Sequence, residues 1–258
     1  MFHKAVEQYG ISFSFVAMLL LVWEFLVHWT GVADYLLPPP TAIFTELWLS
    51  LPLLLRHAAV TLTEAVLGFL LGASTGITCA ILMARSRVIE RMLSPLVITS
   101  QTFPKEALAP VFLIWFGFGI GPKVIIAGLI SFFPVVVNTT RGLLSVDPLI
   151  LDLMRSLSAA PLQIFTKVRF PNAVPYIFAA LKICVTLSVI GAVVGELVGS
   201  SAGLGYLVKN ANSDMRTDRM FAALILLGVM GTSLYLTVEI IERGALKRWG
   251  GTIDTLSR

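Results

Sequence analysis

Long apolar runs alternate with short polar breaks along the chain, and the runs have the length of membrane-spanning helices. Six of them are long enough to cross a hydrocarbon layer of about 30 Å, which takes about 20 helical residues. They lie at residues 11–30, 58–83, 92–118, 124–140, 176–199 and 220–241. They do not show the short alternating segments of about ten residues that mark membrane barrels. The pattern predicts an all-α polytopic membrane protein with six transmembrane helices in a single domain, residues 1–258.

The third run, at residues 92–118, contains Pro95, Pro104 and Pro110. Each proline removes a backbone donor and strains the preceding helical turn. The third span is therefore predicted to be broken or kinked. Carbonyls freed within a membrane need partners from protein or water, so this segment is predicted to face the bundle interior or a pathway.

Two of the runs carry small residues at every fourth position, which places them along one face of a helix. The residues are Gly68, Gly72 and Gly76 in the second run and Gly191, Gly195 and Gly199 in the fifth. Such a stripe lets another backbone approach closely. We expect helix packing within one subunit, with an interface between subunits as the alternative.

The composition excludes an ordinary soluble domain, because the chain is 57% apolar and 13% charged with a mean hydropathy of +0.87. Its net charge of +4 is too small to indicate a nucleic-acid partner. Cys79 and Cys184 both lie inside apolar runs, so neither a disulfide framework nor a metal site is predicted from them. The three histidines show no ligand spacing, and no metal is assigned.

The distribution of basic residues predicts the orientation of the spans. The first run is taken as an uncleaved span, so that both termini lie on one side of the membrane. That side carries twelve Lys and Arg residues and the opposite side carries five. Because Lys and Arg are enriched in cytoplasmic loops, both termini are predicted to be cytoplasmic.

Charged residues inside the spans are candidates for a transport pathway, since a charge at the bilayer centre is costly. Lys105 and Glu106 follow Pro104 near the middle of the third run, and Gln101 lies one turn earlier. We expect these three to line or gate a pathway, with a buried ion pair to another helix as the alternative. Glu196 is their candidate partner, or a group that docks an external protein. Three other charges lie near span ends, where they are expected to reach the interface: Glu64, Lys182 and Glu239.

The segment between the fourth and fifth runs, residues 141–175, has the punctuation of a folded hairpin. Asp147 followed by Pro148 is typical of a helix start. A short helix is predicted from there to Leu157, with Ile150, Met154 and Leu157 on one face. A second short helix at 162–170 is predicted to end before Pro171. This hairpin is interpreted as a docking surface, with an amphipathic helix on the lipid headgroups as the alternative.

Residues 152–175, which read DLMRSLSAAPLQIFTKVRFPNAVP, resemble the cytoplasmic signature loop of permease subunits of binding-protein-dependent ABC importers. Asp152 stands at the usual Glu position, Ser158 replaces a glycine, and Pro171 and Pro175 match the closing prolines. Four other segments resemble the nitrate, sulfonate and taurine branch of that family: Leu37-Pro38-Pro39-Pro40, Thr61 with Gly68-Phe69, residues 104–117, and Gly203-Leu204-Gly205-Tyr206.

The resemblance implies the type I importer permease fold, paired with a second copy of itself, in the bacterial inner membrane. It implies two cytoplasmic ATPase subunits, which would bind ATP and Mg, and an extracytoplasmic binding protein that delivers the solute. The chain itself would hold no cofactor and no catalytic residue. The ATPase-docking residues would be Asp152, Arg155, Ser156, Leu157, Ser158, Ala159 and Ala160. Because serine adopts a left-handed conformation less cheaply than glycine, Ser158 is expected to avoid a positive φ.

The chain has no phosphate-binding loop of the G-x-x-x-x-G-K-[ST] type. The nearest approach is at residues 117–124, where Pro122 occupies the second glycine position and Val124 the hydroxyl position. The resemblance suggests nitrate, taurine, alkanesulfonates or thiamine-precursor pyrimidines as solutes and does not choose among them. The alternative function is an ion-coupled secondary transporter that uses Lys105, Glu106 and Glu196 as coupling charges.

Overall fold

The computed structural model describes residues 2–248, with side chains at residues 14–247, and this part of the chain is helical with no β-strand. The all-α prediction is confirmed. The helices are α1 (Phe2–Thr30), α2 (Pro40–Leu49), α3 (Leu51–Arg85), α4 (Arg87–Thr102), α5 (Ala109–Phe116), α6 (Ile120–Leu144), α7 (Pro148–Ser156), α8 (Pro161–Ile164), α9 (Phe170–Gly199), α10 (Leu204–Ser213) and α11 (Thr217–Arg248). A 3₁₀ turn spans Lys105–Leu108, and a π-helical turn spans Phe165–Arg169.

Four helical segments are long and apolar enough to cross a membrane: Leu51–Arg85, Ile120–Leu144, Pro161–Gly199 and Thr217–Lys247. They contain the second, fourth, fifth and sixth predicted spans, and each extends beyond the predicted bounds. The first predicted span falls in α1, whose described apolar part is the shorter helix Ser14–Thr30. The third predicted span is not one continuous helix, because it is divided between α4 and α5.

The chain breaks in the third predicted span after α4, at Phe103 and Pro104, and resumes through the 3₁₀ turn into α5. Pro104 lacks the N–H that would continue α4, and its ring disfavours helical geometry at the residue before it. Pro110, in the first turn of α5, occupies a position where a helix tolerates proline. The predicted break therefore follows from the prolines, and it leaves two short helices of 16 and 8 residues.

Helix α6 lies between α3 and α9, and glycines set how closely the three helices approach. A Cβ atom on Gly72 of α3 would lie 2.5 Å from the carbonyl oxygen of Gly128 and 2.9 Å from the Cβ of Ser131, both in α6. A Cβ atom on Gly191 of α9 would lie 2.6 Å from the Cα of Ala127, also in α6. Both glycine stripes therefore contact helices of the same chain, and the prediction of packing within one subunit is confirmed.

The segment predicted as a cytoplasmic loop, residues 141–175, is shorter than expected. Helix α6 continues to Leu144, and the helical segment that enters the fifth span already begins at Pro161. The expectation that a second short helix ends before Pro171 is wrong, because the helix continues through Pro171 and Pro175 to Gly199. The π-helical turn immediately before Pro171 accommodates the proline by changing the local hydrogen-bond spacing.

A buried carboxylate joins α2 to the start of α11. Glu46 lies 2.8 Å from an Nη of Arg216 and 2.7 Å from the Nε of Arg219, and it accepts a hydrogen bond of 2.6 Å from Ser50. Burial raises the pKa of the Glu46 carboxyl, but the hydrogen bonds from Ser50 and Arg219 and the charges of both arginines outweigh burial and leave this pKa below its usual value. Glu46 therefore stays ionised and holds α2 against α11.

We predict that Gly72→Ala lowers the stability of the bundle, because the added methyl group meets the backbone of α6. Overpacking of this kind costs about 1–3 kcal/mol, which exceeds the gain in helix propensity of about 1 kcal/mol. The measurement is the thermal unfolding midpoint of the purified protein in mild detergent. Gly228→Ala in α11 is the matched control, because a Cβ atom there meets nothing within 4 Å. Equal midpoints for the two variants would contradict the packing described.

Candidate functional site

Helix α7 lies between the end of α6 and the start of the long helical segment of the fifth span, and its first turn is fixed by its own sequence. The side chain of Asp147 accepts a hydrogen bond of 2.8 Å from the N–H of Leu149, and Pro148 is the first helical residue. The carboxylate satisfies an N–H that the helix cannot pair, and proline has none to lose. The predicted helix start at Asp147 and Pro148 is confirmed.

The other end of α7 closes with a residue in the left-handed conformation, and this residue is Ser158, with φ of 55°. The expectation that Ser158 avoids a positive φ is wrong. The N–H of Ser158 donates to the carbonyl of Arg155 at 2.9 Å, and the N–H of Ala159 donates to the carbonyl of Met154 at 3.0 Å. These two bonds define a Schellman motif, which satisfies the last carbonyls of a helix only if the residue after its cap is left-handed. The motif therefore sets the conformation of Ser158 although no glycine is present.

The chain turns at once into the next helix. The N–H of Ala160 donates to the side-chain carbonyl of Gln163 at 2.9 Å, and Pro161 begins the helical segment that becomes α9. Asp152 and Arg155 pair at 2.9 Å on the surface of α7, with side chains 67% and 66% exposed. A pair this exposed contributes little stability, so both charges remain accessible to another protein.

An apolar ridge runs along α7. Leu149, Leu153 and Leu157 are 76%, 58% and 68% exposed, and their spacing of four places them on one face of the helix. We call these three residues the leucine ridge. The predicted apolar face contained Ile150, Met154 and Leu157, whereas the structure leaves Met154 half-buried. Within the described chain nothing covers the leucine ridge.

The break in the third predicted span forms a cleft of about 440 Å³. The Nζ atom of Lys105 lies 5.0 Å from the ring centroid of Phe133 in this cleft, and no carboxylate among residues 14–247 pairs with it. Gln101 and Glu106 are exposed nearby and do not line the cleft. The lining residues are Pro95, Leu96, Thr99, Ser100, Phe103, Lys105, Leu108, Leu129 and Phe133.

Glu196, the fourth pathway candidate, lies elsewhere and is fully buried. It accepts hydrogen bonds of 2.6 Å from the hydroxyl of Thr61 and 2.6 Å from the N–H of Gly205. Beside it, Lys123 pairs with Glu64 at 2.8 Å, and both of these side chains are also buried. Glu196 therefore contacts neither Lys105 nor Glu106.

Sequence reasoning missed the Glu64–Lys123 pair, because Lys123 lies just before the fourth predicted span and Glu64 was expected to reach the interface. The available signal was a carboxylate in an apolar run whose partner had to come from another helix. The other two charges expected at span ends also have protein partners. Lys182 pairs with Glu242 at 2.7 Å, and Glu239 pairs with Arg243 at 2.6 Å.

We predict that Ser158→Gly strengthens the end of α7, because a left-handed residue with a Cβ atom costs about 1–2 kcal/mol relative to glycine. Ser158→Val is expected to weaken it, since β-branched residues tolerate a positive φ least. The measurement is hydrogen–deuterium exchange of the peptide covering residues 148–160, which should be slower than wild type for Ser158→Gly and faster for Ser158→Val. Identical exchange in all three proteins would contradict the assigned backbone geometry.

Residues 72–247 match the family model described as "Binding-protein-dependent transport system inner membrane component". The chain is 40% identical over 224 residues to a probable ABC transporter permease protein of Haemophilus influenzae, covering 87% of this chain and 91% of the relative. It is 35% identical to the formylaminopyrimidine transport permease protein ThiX of Halalkalibacterium halodurans, covering 88% and 91%. It is also 35% identical to the putative aliphatic sulfonates transport permease protein SsuC of Bacillus subtilis, covering 90% and 84%.

The fold is similar to a solved inward-facing structure of the MetNI methionine ABC transporter. The TM-score is 0.67 at 20% sequence identity, and the match covers 76% of this chain and 97% of the solved chain. An identity this low supports the fold alone, and the family follows from the sequence matches. The chain belongs to the binding-protein-dependent inner membrane components: it is a multi-pass permease subunit of an ABC importer with the type I fold, and ATP hydrolysis resides in a separate subunit.

Proposed function

We propose that two copies of this chain form the pathway of an importer that is completed by two cytoplasmic ATPase subunits, which bind ATP and Mg, and by an extracytoplasmic binding protein. The observation that carries this proposal is the leucine ridge, which the chain holds uncovered between two membrane-spanning helices. An exposed apolar patch on a defined helix is typical of a protein interaction site. In the proposed assembly the leucine ridge inserts into a groove of the ATPase.

The residues next to the leucine ridge complete the proposed docking surface. Besides Leu157, it contains the residues that the signature loop implies: Asp152, Arg155, Ser156, Ser158, Ala159 and Ala160. At this end of the bundle, Asn172 of α9 donates to the carbonyl of Gly142 in α6 at 2.9 Å, and Arg169 donates to the carbonyl of Ala84 in α3 at 3.0 Å. In the proposed assembly, a displacement of α7 by the ATPase reaches α6 and α9 through the chain on either side of α7, and these contacts pass it on to α3.

The proposed orientation places α7 and both termini in the cytoplasm of a bacterial cell, with the bundle in the lipid of the inner membrane. The basic residues that predict this orientation include three at the junction of α3 and α4 and two near α7. They are Arg85, Arg87, Arg91, Arg141 and Arg155. Anionic lipid headgroups and the positive-inside rule favour this side for α7.

The proposed pathway runs past the cleft at the break between α4 and α5. Among the residues that line the cleft, Lys105 is the one that carries a positive charge. No carboxylate among residues 14–247 pairs with it. Gln101 and Glu106 flank the cleft on the same segment and are exposed where a second copy or the solute contacts them. Glu196 is buried away from this cleft.

The relatives support a small solute and do not choose one class. Two permeases at the same 35% identity are named for formylaminopyrimidine and for aliphatic sulfonates. A cleft with apolar walls and one cation suits a small solute that carries an electronegative or anionic group. We therefore propose a solute from the nitrate, sulfonate, taurine or thiamine-precursor pyrimidine classes.

We predict that Leu157→Asp and Asp152→Lys abolish or strongly weaken binding of the ATPase, because one buries a charge in the docking groove and the other reverses a surface charge. The measurement is co-elution of the permease with candidate ATPases in mild detergent, together with ATP hydrolysis. We expect at least a tenfold loss for Leu157→Asp. Met215→Asp is the control, because Met215 is 66% exposed at the opposite end of the bundle. Solute movement under an ion gradient with no ATPase bound would contradict the proposal.

We predict that Lys105→Gln lowers solute transport at least tenfold and leaves ATPase binding unchanged, because only the pathway loses a charge. Transport is measured in proteoliposomes that contain the ATPase and the binding protein, with formylaminopyrimidine and an alkanesulfonate as separate solutes. Lys209→Gln removes an exposed lysine outside the cleft and serves as the control. Wild-type transport by Lys105→Gln would remove Lys105 from the pathway.

A further inference from the structure

Three consecutive backbone N–H groups at the start of α10 are bound by side chains from two other helices. The N–H of Gly203 donates to Nδ1 of His57 at 3.0 Å, and the N–H of Leu204 donates to the hydroxyl of Thr61 at 2.8 Å. The N–H of Gly205 donates to the carboxylate of Glu196 at 2.6 Å. We call His57, Thr61 and Glu196 the α10 clamp. It replaces the cap that a helix normally takes from its own sequence.

The residue at the cap position of α10 is Gly203, which has no side chain to offer and has φ of 111°. A Cβ atom at this position would overlap the carboxylate of Glu196. The side-chain oxygens of Glu196 also lie at the helix end whose first N–H groups have no partner within the helix. The close approach of the backbone at residue 203 to the side chain of Glu196 therefore requires glycine at this position.

The α10 clamp is internally connected and extends to α6. Thr61 donates to Glu196 while it accepts from Leu204, so one hydroxyl joins α3, α9 and α10. Lys123 of α6 binds Glu64 of α3 at 2.8 Å and Ser200, which follows α9, at 2.7 Å. The starts of α3 and α6 and the end of α9 are thereby fastened to α10 through buried polar contacts.

These contacts lie at the end of the bundle opposite α7. Helix α6 begins at Ile120, one turn before Lys123, and ends at Leu144 beside α7, and its 25 residues span about 38 Å. Between the two ends, α3 and α9 contact α6 at glycines that leave no space for a Cβ atom. Helices packed this closely shift as a unit, because an interior at native packing density has little room to deform.

We propose that His57, Thr61 and Glu196 are positioning residues for transport, which make α10 follow the displacement of α7 that the ATPase produces. This inference rests on the proposed function. When the ATPases close, α6 and α9 carry the movement to the clamp, and the clamp passes it to α10 and to α11, against which α10 packs. If the clamp is opened, α7 still moves but the far end of the pathway no longer follows.

The test uses the assembled importer, with ATPase and binding protein, in proteoliposomes. The variants are Thr61→Val, which has the same shape but cannot bind the N–H of Leu204, and Thr61→Ser, which restores the hydroxyl. Thr63→Val is the matched control, because the hydroxyl of Thr63 bonds only to the carbonyl of Ala59 on its own helix. The readout is the number of solute molecules moved per ATP hydrolysed. A role in folding alone does not change this ratio.

We expect Thr61→Val to hydrolyse ATP within about twofold of wild type and to move at least fivefold less solute per ATP. Thr61→Ser and Thr63→Val should stay within about twofold of the wild-type ratio. An unchanged ratio for Thr61→Val, with only a lower unfolding midpoint, would overturn the proposal. If wild type itself binds no ATPase or moves no solute, the proposed function fails instead, and the two failures are distinguished.

A second variant keeps the test informative if Thr61→Val does not fold. His57 is half-buried and its ring stacks on Tyr206 at 5.8 Å between centroids, so His57→Phe preserves the stacking and removes only the acceptor for Gly203. We expect this variant to fold and to lower the ratio of solute to ATP at least twofold. A wild-type ratio in His57→Phe would also overturn the proposal.

Discussion

The structure depends on the close approach of three helix backbones, with α6 held between α3 and α9. In a bilayer, lipid tails are as apolar as leucine side chains, so helices gain little from burying apolar surface against one another. Association then rests on van der Waals contact, which requires small residues where the backbones meet. Gly72 and Gly191 provide this at two faces of α6. Helices α7 and α10 are attached at the two ends of the unit that results.

Polar side chains inside this unit are arranged so that nearly every charge has a partner. Removing one partner from a buried pair is costly, because it leaves a charge that neither water nor lipid can solvate. The buried Glu64–Lys123 pair and the three bonds to α10 are therefore strong constraints on helix position, although each is a small number of atoms. Lys105 differs from these buried residues, since it lines a cleft and lies over the ring of Phe133 but pairs with no carboxylate among the described side chains. This contrast separates residues that fix the bundle from a residue available to a solute.

Local features of the candidate site were predictable because their cause lies within a few residues. Asp147 and Pro148 start α7 through a contact two residues away, and Pro104 breaks the third predicted span by its own chemistry. Two local predictions were wrong for the same reason. Ser158 is left-handed because the whole end of α7 closes as a Schellman motif, and Pro171 continues a helix because a π-helical turn precedes it. In both cases a hydrogen-bonding pattern over several residues outweighed the preference of one residue.

The sequence by itself determined that the chain is helical, that it belongs in a membrane and which family it resembles, since apolar length, charge content and short motifs need no partner in space. Only the tertiary structure decided which charges meet. Thr61 and Glu196 are separated by 135 positions, yet they share a hydrogen bond, and Lys123 reaches Glu64 across 59 positions. Such pairs are fixed by how α3, α6 and α9 pack. Helical periodicity gives the face on which a residue lies, but not the residue that faces it from another helix.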